Sequence, residues 1–426
     1  MSVSTIPFHV PSIGPEELGE VERALRSGWL TTGPRTAQFE QEFKQYVDSP
    51  FAVAVNSGTA GLHLALAALG IGSGDEVITT PLTFCATVHT ILQVGARPVL
   101  ADIGSDGNID PESIERCLTG RTRAIMPVHL AGLPCDMQAI WKLAHRHGAF
   151  VIEDAAHASG AHYDGHPIGA GPQDTYHASD AIVFSFYATK NLTTGEGGMV
   201  VTHREDLARK IRMLSLHGTT QDAWKRYRTD GSWYYEVVAG GYKYNLSDVQ
   251  SAIGIHQLRK LERFIQVRAR YAQMYNQAFA GIDELELPPD RPGCRHAWHL
   301  YILRLNLETL SIGRGEFIRQ LGALGVSTSV HFIPIPLHPY FAQMSLADYP
   351  CPRAMELYPR ILSLPLYPAM TEEQVYYVAN CVRQVVERTR KSKFIAGVAA
   401  GDSVSPAELG LLIEADGEHK ATVHRR

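Results

Sequence analysis

The chain has 426 residues, 45% hydrophobic and 19% charged, with a net charge of −5. That balance excludes a disordered chain and removes any broad electrostatic reason to bind nucleic acid. No apolar run is long enough to span a bilayer, and Met1-Ser2-Val3-Ser4-Thr5 lacks the basic start and apolar core of a signal peptide.

Phe51-Ala52-Val53-Ala54-Val55 reads as a buried strand. Asn56-Ser57-Gly58-Thr59 follows, then a helix with Leu62, Ala65, Leu66 and Leu69 on one face and Gly70 as its stop. Further strands are expected at 76–80, 98–102, 124–128 and 149–154, with a helix capped by Asp136 and ended by Gly148 before the last of them. Ala181-Ile182-Val183-Phe184 is another buried strand, and Met199-Val200-Val201 returns to the sheet. Strands alternating with helices predict an α/β fold, a mostly parallel sheet covered on both faces.

A length of 426 residues is more than one core usually fills, so two domains are expected. The division predicted is an N-terminal segment and large domain over 1–260, a small α+β domain over 261–392 and a mobile tail over 393–426. A long helix from Ser247 to Phe279 should bridge to the second domain. That domain is read as strands at 299–305 and 326–332, a helix at 315–324 and a last helix at 371–389. In the tail, Leu409 to Ile413 is read as one weak helical turn.

The residue that carries most chemistry is Lys190, in a hydroxylated loop between the strands ending at Phe184 and beginning at Met199. An isolated buried ammonium is costly, whereas a neutral buried lysine can form a Schiff base with an aldehyde. The bland reading is a lysine that snorkels out of a turn. Ligands of parallel sheets lie beyond the carboxyl ends of the strands, which gathers Ser57-Gly58-Thr59, Asp154 and Lys190.

A lysine-bound pyridoxal phosphate (PLP) requires a phosphate site, a carboxylate for its ring nitrogen and a flat apolar neighbour. Ser57-Gly58-Thr59 at a helix start suits the phosphate, though an ordinary helix cap reads the same way. Asp154 suits the ring nitrogen, while Glu153 should point to the other side of the sheet. Phe84 suits the ring face, or is simply core. Histidines number 19, but neither HExxH nor a zinc-ligand spacing occurs, so no metal is expected. The six cysteines form no CxxC pair, which favours reduced thiols in a cytoplasmic protein.

Seven motifs in order resemble the DegT/StrS family of PLP-dependent sugar-nucleotide aminotransferases, across about residues 6 to 390. They begin with Ser27-Gly28-Trp29-Leu30-Thr31-Thr32-Gly33-Pro34, Asn56-Ser57-Gly58-Thr59-Ala60, Thr83-Phe84-Cys85-Ala86-Thr87 and Glu153-Asp154-Ala155-Ala156-His157. The Lys190 loop with Gly195-Glu196-Gly197-Gly198 follows. His217-Gly218 with Gly241-Tyr242-Lys243-Tyr244-Asn245, and then Val330-His331-Phe332-Ile333-Pro334, close the series.

The resemblance implies the aspartate aminotransferase-like fold-type I, with a seven-stranded sheet in the large PLP-binding domain. It implies that Lys190 carries the cofactor and shuttles protons, that Asp154 pairs with the ring nitrogen and that Phe84 stacks on the ring. His157 would stand near the ring hydroxyl, and Ser57, Gly58, Thr59 and Ser185 would hold the phosphate. Asn245, or Lys243 two residues before it, would reach the phosphate of a neighbouring subunit in a homodimer. Trp29, Thr31 and His331 would face a sugar nucleotide.

Relatives that dehydrate have a histidine in place of the lysine, so Lys190 implies transamination, from L-glutamate to a keto-sugar nucleotide. The Gly241–Asn245 run, with Trp233-Tyr234-Tyr235-Glu236-Val237 before it, resembles members acting at sugar C4. Alternatives are amination at C3, a non-catalytic regulatory protein, or a decarboxylase or desulfurase of the same fold.

Overall fold

The computed structural model describes residues 5–171, 178–220, 234–344 and 346–391. Trp233, the expected tail at 393–426 and the helical turn at Leu409–Ile413 lie outside the described residues. Contacts divide the chain after Arg390, and the fold below is that of the part preceding the division.

Two helices come first, α1 (Pro15–Arg26) and α2 (Pro34–Tyr46), and both pack on a later long helix. Then β1 (Phe51–Val55), α3 (Gly58–Ala68), β2 (Glu76–Thr79), α4 (Cys85–Gln93) and β3 (Arg97–Leu100) alternate. They are followed by α5 (Pro111–Cys117), β4 (Thr122–Met126), α6 (Met137–His147) and β5 (Phe150–Asp154). A short hairpin, β6 (His162–Tyr163) and β7 (His166–Pro167), precedes β8 (Ala181–Ser185), β9 (Gly198–Thr202) and α7 (Glu205–Ser215).

These strands form a seven-stranded sheet in the order β1-β9-β8-β5-β4-β2-β3. Only β9 runs against its neighbours; the other pairings are parallel. The expected mostly parallel α/β sheet is therefore observed. Its strands are buried along nearly their whole length, as a sheet covered on both faces requires. Gly61 lets α3 lie close on the sheet, since a Cβ there would stand 2.6 Å from Val183 Cγ1.

The long helix α8 (Asp248–Phe279) starts at a capping box made by Ser247 and Gln250. After it come β10 (Leu285–Glu286), β11 (Cys294–Arg295), β12 (Tyr301–Leu305) and α9 (Arg314–Ala323). The chain continues through α10 (Pro339–Ala342), α11 (Pro352–Leu357), β13 (Ile361–Leu364) and α12 (Glu372–Thr389). Strands β10, β12 and β13 form a small antiparallel sheet, and β11 joins the β6–β7 hairpin. A core of Tyr271, Tyr275, Phe279, Tyr301, Phe317 and Val382 unites the end of α8 with this sheet and the last helix.

One predicted strand does not form. Residues 326–332 make isolated bridges to two different neighbours, Val326 to Ile6 and Ser329 to Ser363, instead of one continuous ladder. The strands beside β12 are β10 and β13, neither of them expected from the sequence.

Candidate active site

Lys190 is placed by its loop. Phe186 and Leu192 are fully buried and fix the loop's two sides. Phe186 N–H donates to the Gly197 carbonyl at 2.8 Å, and Thr194 N–H to the Phe186 carbonyl at 3.0 Å. The hydroxyls read from the sequence satisfy this backbone: Thr193 Oγ1 donates to the Phe186 carbonyl and Thr194 Oγ1 to that of Glu196. Asn191 Nδ2 donates to the Ala297 carbonyl at 2.8 Å and ties the loop to the segment before β12.

The loop faces a cavity of ≈ 490 Å³ at the carboxyl ends of β1, β5 and β8. Ser57, Gly58, Thr59, Phe84, Asp154, His157, Ser185, Lys190 and His331 all line it. The fold thus brings together nine of the residues expected from the sequence.

Each has a definite environment. Ser57 caps α3 by accepting from Ala60 N–H at 3.0 Å, so Gly58 and Thr59 form the first turn of an eleven-residue helix at its positive end. A Cβ on Gly58 would stand 3.0 Å from Ser185 Cβ, so the strand end of β8 lies directly against this turn. Asp154 is buried, with Oδ2 accepting from the Thr87 hydroxyl at 2.8 Å and Oδ1 from Ala156 N–H at 3.2 Å. Burial pushes its carboxyl above the usual range, against the pull of these two donors and of the Lys190 charge. Glu153 does point the other way, to His129 at 2.8 Å and Ser179.

Burial lowers the Lys190 amine to about 8, and Asp154 opposes that shift. His157 is buried beside Phe332, ring centroids 5.8 Å apart, and its Nδ1 accepts from Ala131 N–H at 3.3 Å. Burial, reinforced by the Lys190 charge, holds its ring neutral, which leaves Nε2 carrying the hydrogen. His331 is lowered to about 4 for the same two reasons, and its Nδ1 lies 2.8 Å from Ser363 Oγ. Phe84 is 59% exposed and forms an apolar face at the cavity wall.

Three predicted residues do not line this cavity. Asn245 Nδ2 donates to Thr32 Oγ1 at 2.7 Å, Trp29 Nε1 donates to the Thr32 carbonyl at 3.2 Å, and the Thr31 carbonyl accepts from Asp248 N–H. They gather instead at the start of α8. Conversely, Phe8, His9, Thr83, Thr87, Tyr187, Glu196, His299, Phe332, Leu364 and Leu366 line the cavity and were not assigned to it from sequence. Thr83 and Thr87 had a signal, two hydroxyls that flank Phe84 in one short motif. Phe8 and His9 had none.

The arrangement suits PLP. A helix start lined by hydroxyls can take a phosphate. A buried carboxylate with two donors can keep a ring nitrogen protonated, and Lys190 brings an amine lowered to about 8 to the same cavity.

Comparison with known proteins gives the same assignment. Residues 11–383 match the DegT/DnrJ/EryC1/StrS aminotransferase family. The chain is 49% identical over 385 residues to the spore coat polysaccharide biosynthesis protein SpsC of Bacillus subtilis, covering 90% of this chain and 97% of that protein. It is similar to the PLP-form of Spr1654 from Streptococcus pneumoniae, with TM-score 0.82 and 32% identity over 90% of this chain and 99% of that one. The sugar aminotransferase CalS13 from Micromonospora echinospora gives TM-score 0.79 and 30% identity over 89% and 99%.

Proposed function

The chain belongs to the DegT/DnrJ/EryC1/StrS aminotransferase family and is a PLP-dependent transaminase; on that premise we propose that it moves the amino group of L-glutamate to C4 of a 4-keto-6-deoxy sugar carried on UDP, GDP or dTDP. The product would serve polysaccharide biosynthesis, the process named for its relative SpsC. The observation that carries the reading is the cavity. The Lys190 amine, lowered to about 8, shares it with Asp154 and a set of uncharged aromatic and imidazole groups. The C4 position is supported by the Gly241–Asn245 run, which resembles that of members acting there.

PLP, when bound, supplies an electron sink for negative charge at the carbon that bears the nitrogen. In this reading Asp154, held by Thr87, keeps the proton on the ring nitrogen. Ser57, Gly58, Thr59 and Ser185 take the phosphate, Phe84 covers the ring and the His157 Nε2–H meets the ring hydroxyl. Lys190 Nζ, as a neutral amine, takes the proton from the α-carbon of glutamate and later delivers one to sugar C4, a general acid–base role. His331 meets the sugar nucleotide. Two copies pair as a cytoplasmic homodimer, and Asn245, with Trp29 and Thr31, completes the cavity of the second copy. Among the described residues no helix is long and apolar enough to cross a membrane.

The test is spectroscopic and chemical. The purified protein with PLP should show a visible absorbance band that bleaches with L-glutamate. Mass spectrometry should then find an aminated product from one member of a keto-sugar nucleotide panel. A colourless protein unresponsive to glutamate would contradict the reading.

A further inference from the structure

The first described residues form a strap across the cavity. At one end Ile6 N–H donates to the Gly325 carbonyl at 2.8 Å, and Ser327 N–H returns a bond to Ile6 at 3.0 Å. Further along, Gln257 Nε2 of α8 donates to the Ser12 carbonyl at 2.7 Å. Between these anchors Phe8 and His9 reach the cavity. The Phe8 ring stacks on His331 with centroids 5.6 Å apart and planes at 23°. The His9 ring lies beside the backbone of Ala188, two residues before Lys190, and 5.7 Å from the ring of Tyr367. The strap therefore lies against the lysine loop and against the segments that flank the small sheet.

The wall so formed has a uniform chemistry. Phe8 and His331 are followed by Leu364, Leu366 and His299, all lining the same cavity. Behind it Arg268 is buried, and its Nη1 is directed to the carbonyls of Trp298, His299 and Leu366. Burial brings His9 and His331 each to about 4, so both are uncharged at neutral pH. Glutamate carries two carboxylates, and among the described residues this wall offers them no exposed cation. A pyranose ring offers C–H faces that pack on an aromatic ring, and hydroxyls that bond to neutral imidazoles.

We infer that Phe8, stacked on His331 and held by the strap, contacts the sugar ring of the amino acceptor and helps to set acceptor specificity. The inference rests on the sugar-nucleotide reading above and adds to it a residue that neither the motifs nor the comparisons assign.

The test separates the two halves of the reaction and adds binding. UDP-, GDP- and dTDP-linked 4-keto-6-deoxyhexoses are titrated into the PLP-loaded enzyme by calorimetry. Bleaching by glutamate and amination of the acceptor are timed separately. Phe8→Ala should weaken acceptor binding and lower kcat/KM for the acceptor roughly tenfold or more, the scale of one lost apolar contact. Its rate of bleaching by glutamate should stay within about twofold of wild type. Phe8→Tyr, which keeps the ring, should recover acceptor binding, and Phe8→Leu, which keeps bulk alone, should not. Equal loss in both halves, or unchanged acceptor binding in Phe8→Ala, overturns the inference. A wild-type enzyme that binds a panel member without aminating it contradicts the proposed function instead.

Discussion

The Thr87 hydroxyl donates to Asp154 Oδ2 at 2.8 Å, and Thr83 Oγ1 stands a further 2.8 Å behind it. The buried carboxylate is thus oriented by a short chain of hydroxyls from the start of α4. Burial alone would favour its neutral form, and this donor works against that. Thr87→Val removes the donor, so the carboxyl rises further and the acid limb of the rate profile moves to higher pH. A hydrogen bond to a charged group contributes about 1.5–3 kcal/mol, so the glutamate half-reaction should slow by roughly 10- to 100-fold at neutral pH. Asp154→Asn should retain PLP and slow the reaction more strongly still. Stopped-flow absorbance across pH reads both effects.

Lys190→Ala should abolish transamination while the fold persists, as judged by circular dichroism. Near-normal turnover of the purified variant would falsify the role given to this amine. The amine in the unloaded protein is lowered to about 8 by burial, below its ordinary 10.5. The folded state therefore holds fewer protons than the unfolded state between those two values. The sign follows: this group's contribution to stability is present above the unfolded value and is lost as pH falls through about 8. The melting temperature of cofactor-free wild type relative to Lys190→Met should accordingly fall as pH is lowered across that window.

Gly198 opens β9 directly against the phosphate turn. A Cβ there would lie 2.8 Å from Gly58 N, Phe184 O and Ser57 C, all backbone atoms with little room to yield. Gly198→Ala should weaken PLP binding by roughly tenfold or more, on the scale of overpacking a tight site at about 1–3 kcal/mol. Gly120→Ala, where nothing lies within 4 Å of the added Cβ, is the matched control. Equilibrium dialysis with PLP measures both.

Arg268 is 1% exposed, and its Nη1 bonds the Leu366 carbonyl at 2.6 Å and, at longer range, those of Trp298 and His299. It joins α8 to two segments that line the cavity. Arg268→Met removes a buried donor and leaves carbonyls unsatisfied, at about 1–3 kcal/mol for each group stranded. Urea denaturation of the cofactor-free protein should show a loss of roughly 3 kcal/mol or more. A change under about 1 kcal/mol would contradict the clamp.

The parts of the site that were legible in the sequence are those set by local structure. Ser57-Gly58-Thr59, Asp154 and Ser185 follow apolar strands, and a parallel sheet brings such ends together without further information. Glu153 and Asp154 separate by strand alternation alone. Phe8, His9 and His299 reach the cavity only through long-range packing. The Ile6–Gly325 bond that aims the strap joins residues more than 300 positions apart, and no local pattern encodes it. Helix α1 was hidden for another reason: Leu18 and Leu25 face outward, while Glu17 is 1% exposed and bonds Lys260 and Gln257. Its polarity is the reverse of what hydrophobic periodicity looks for. The false strand at 326–332 alternates Val326, Thr328 and Val330 convincingly, but its edges meet two different partners.

Amino transfer from glutamate to a 4-keto-6-deoxy sugar nucleotide puts the new C–N bond at C4 of the sugar. The wild-type enzyme is incubated with ¹⁵N-labelled L-glutamate and each UDP-, GDP- and dTDP-linked 4-keto-6-deoxyhexose, together with the corresponding 3-keto compounds. The C–N bond of the product is then located by NMR. The expected result is nitrogen at C4 of one nucleotide series. Nitrogen at C3 alone, or in no sugar at all while glutamate still bleaches the cofactor, would contradict it.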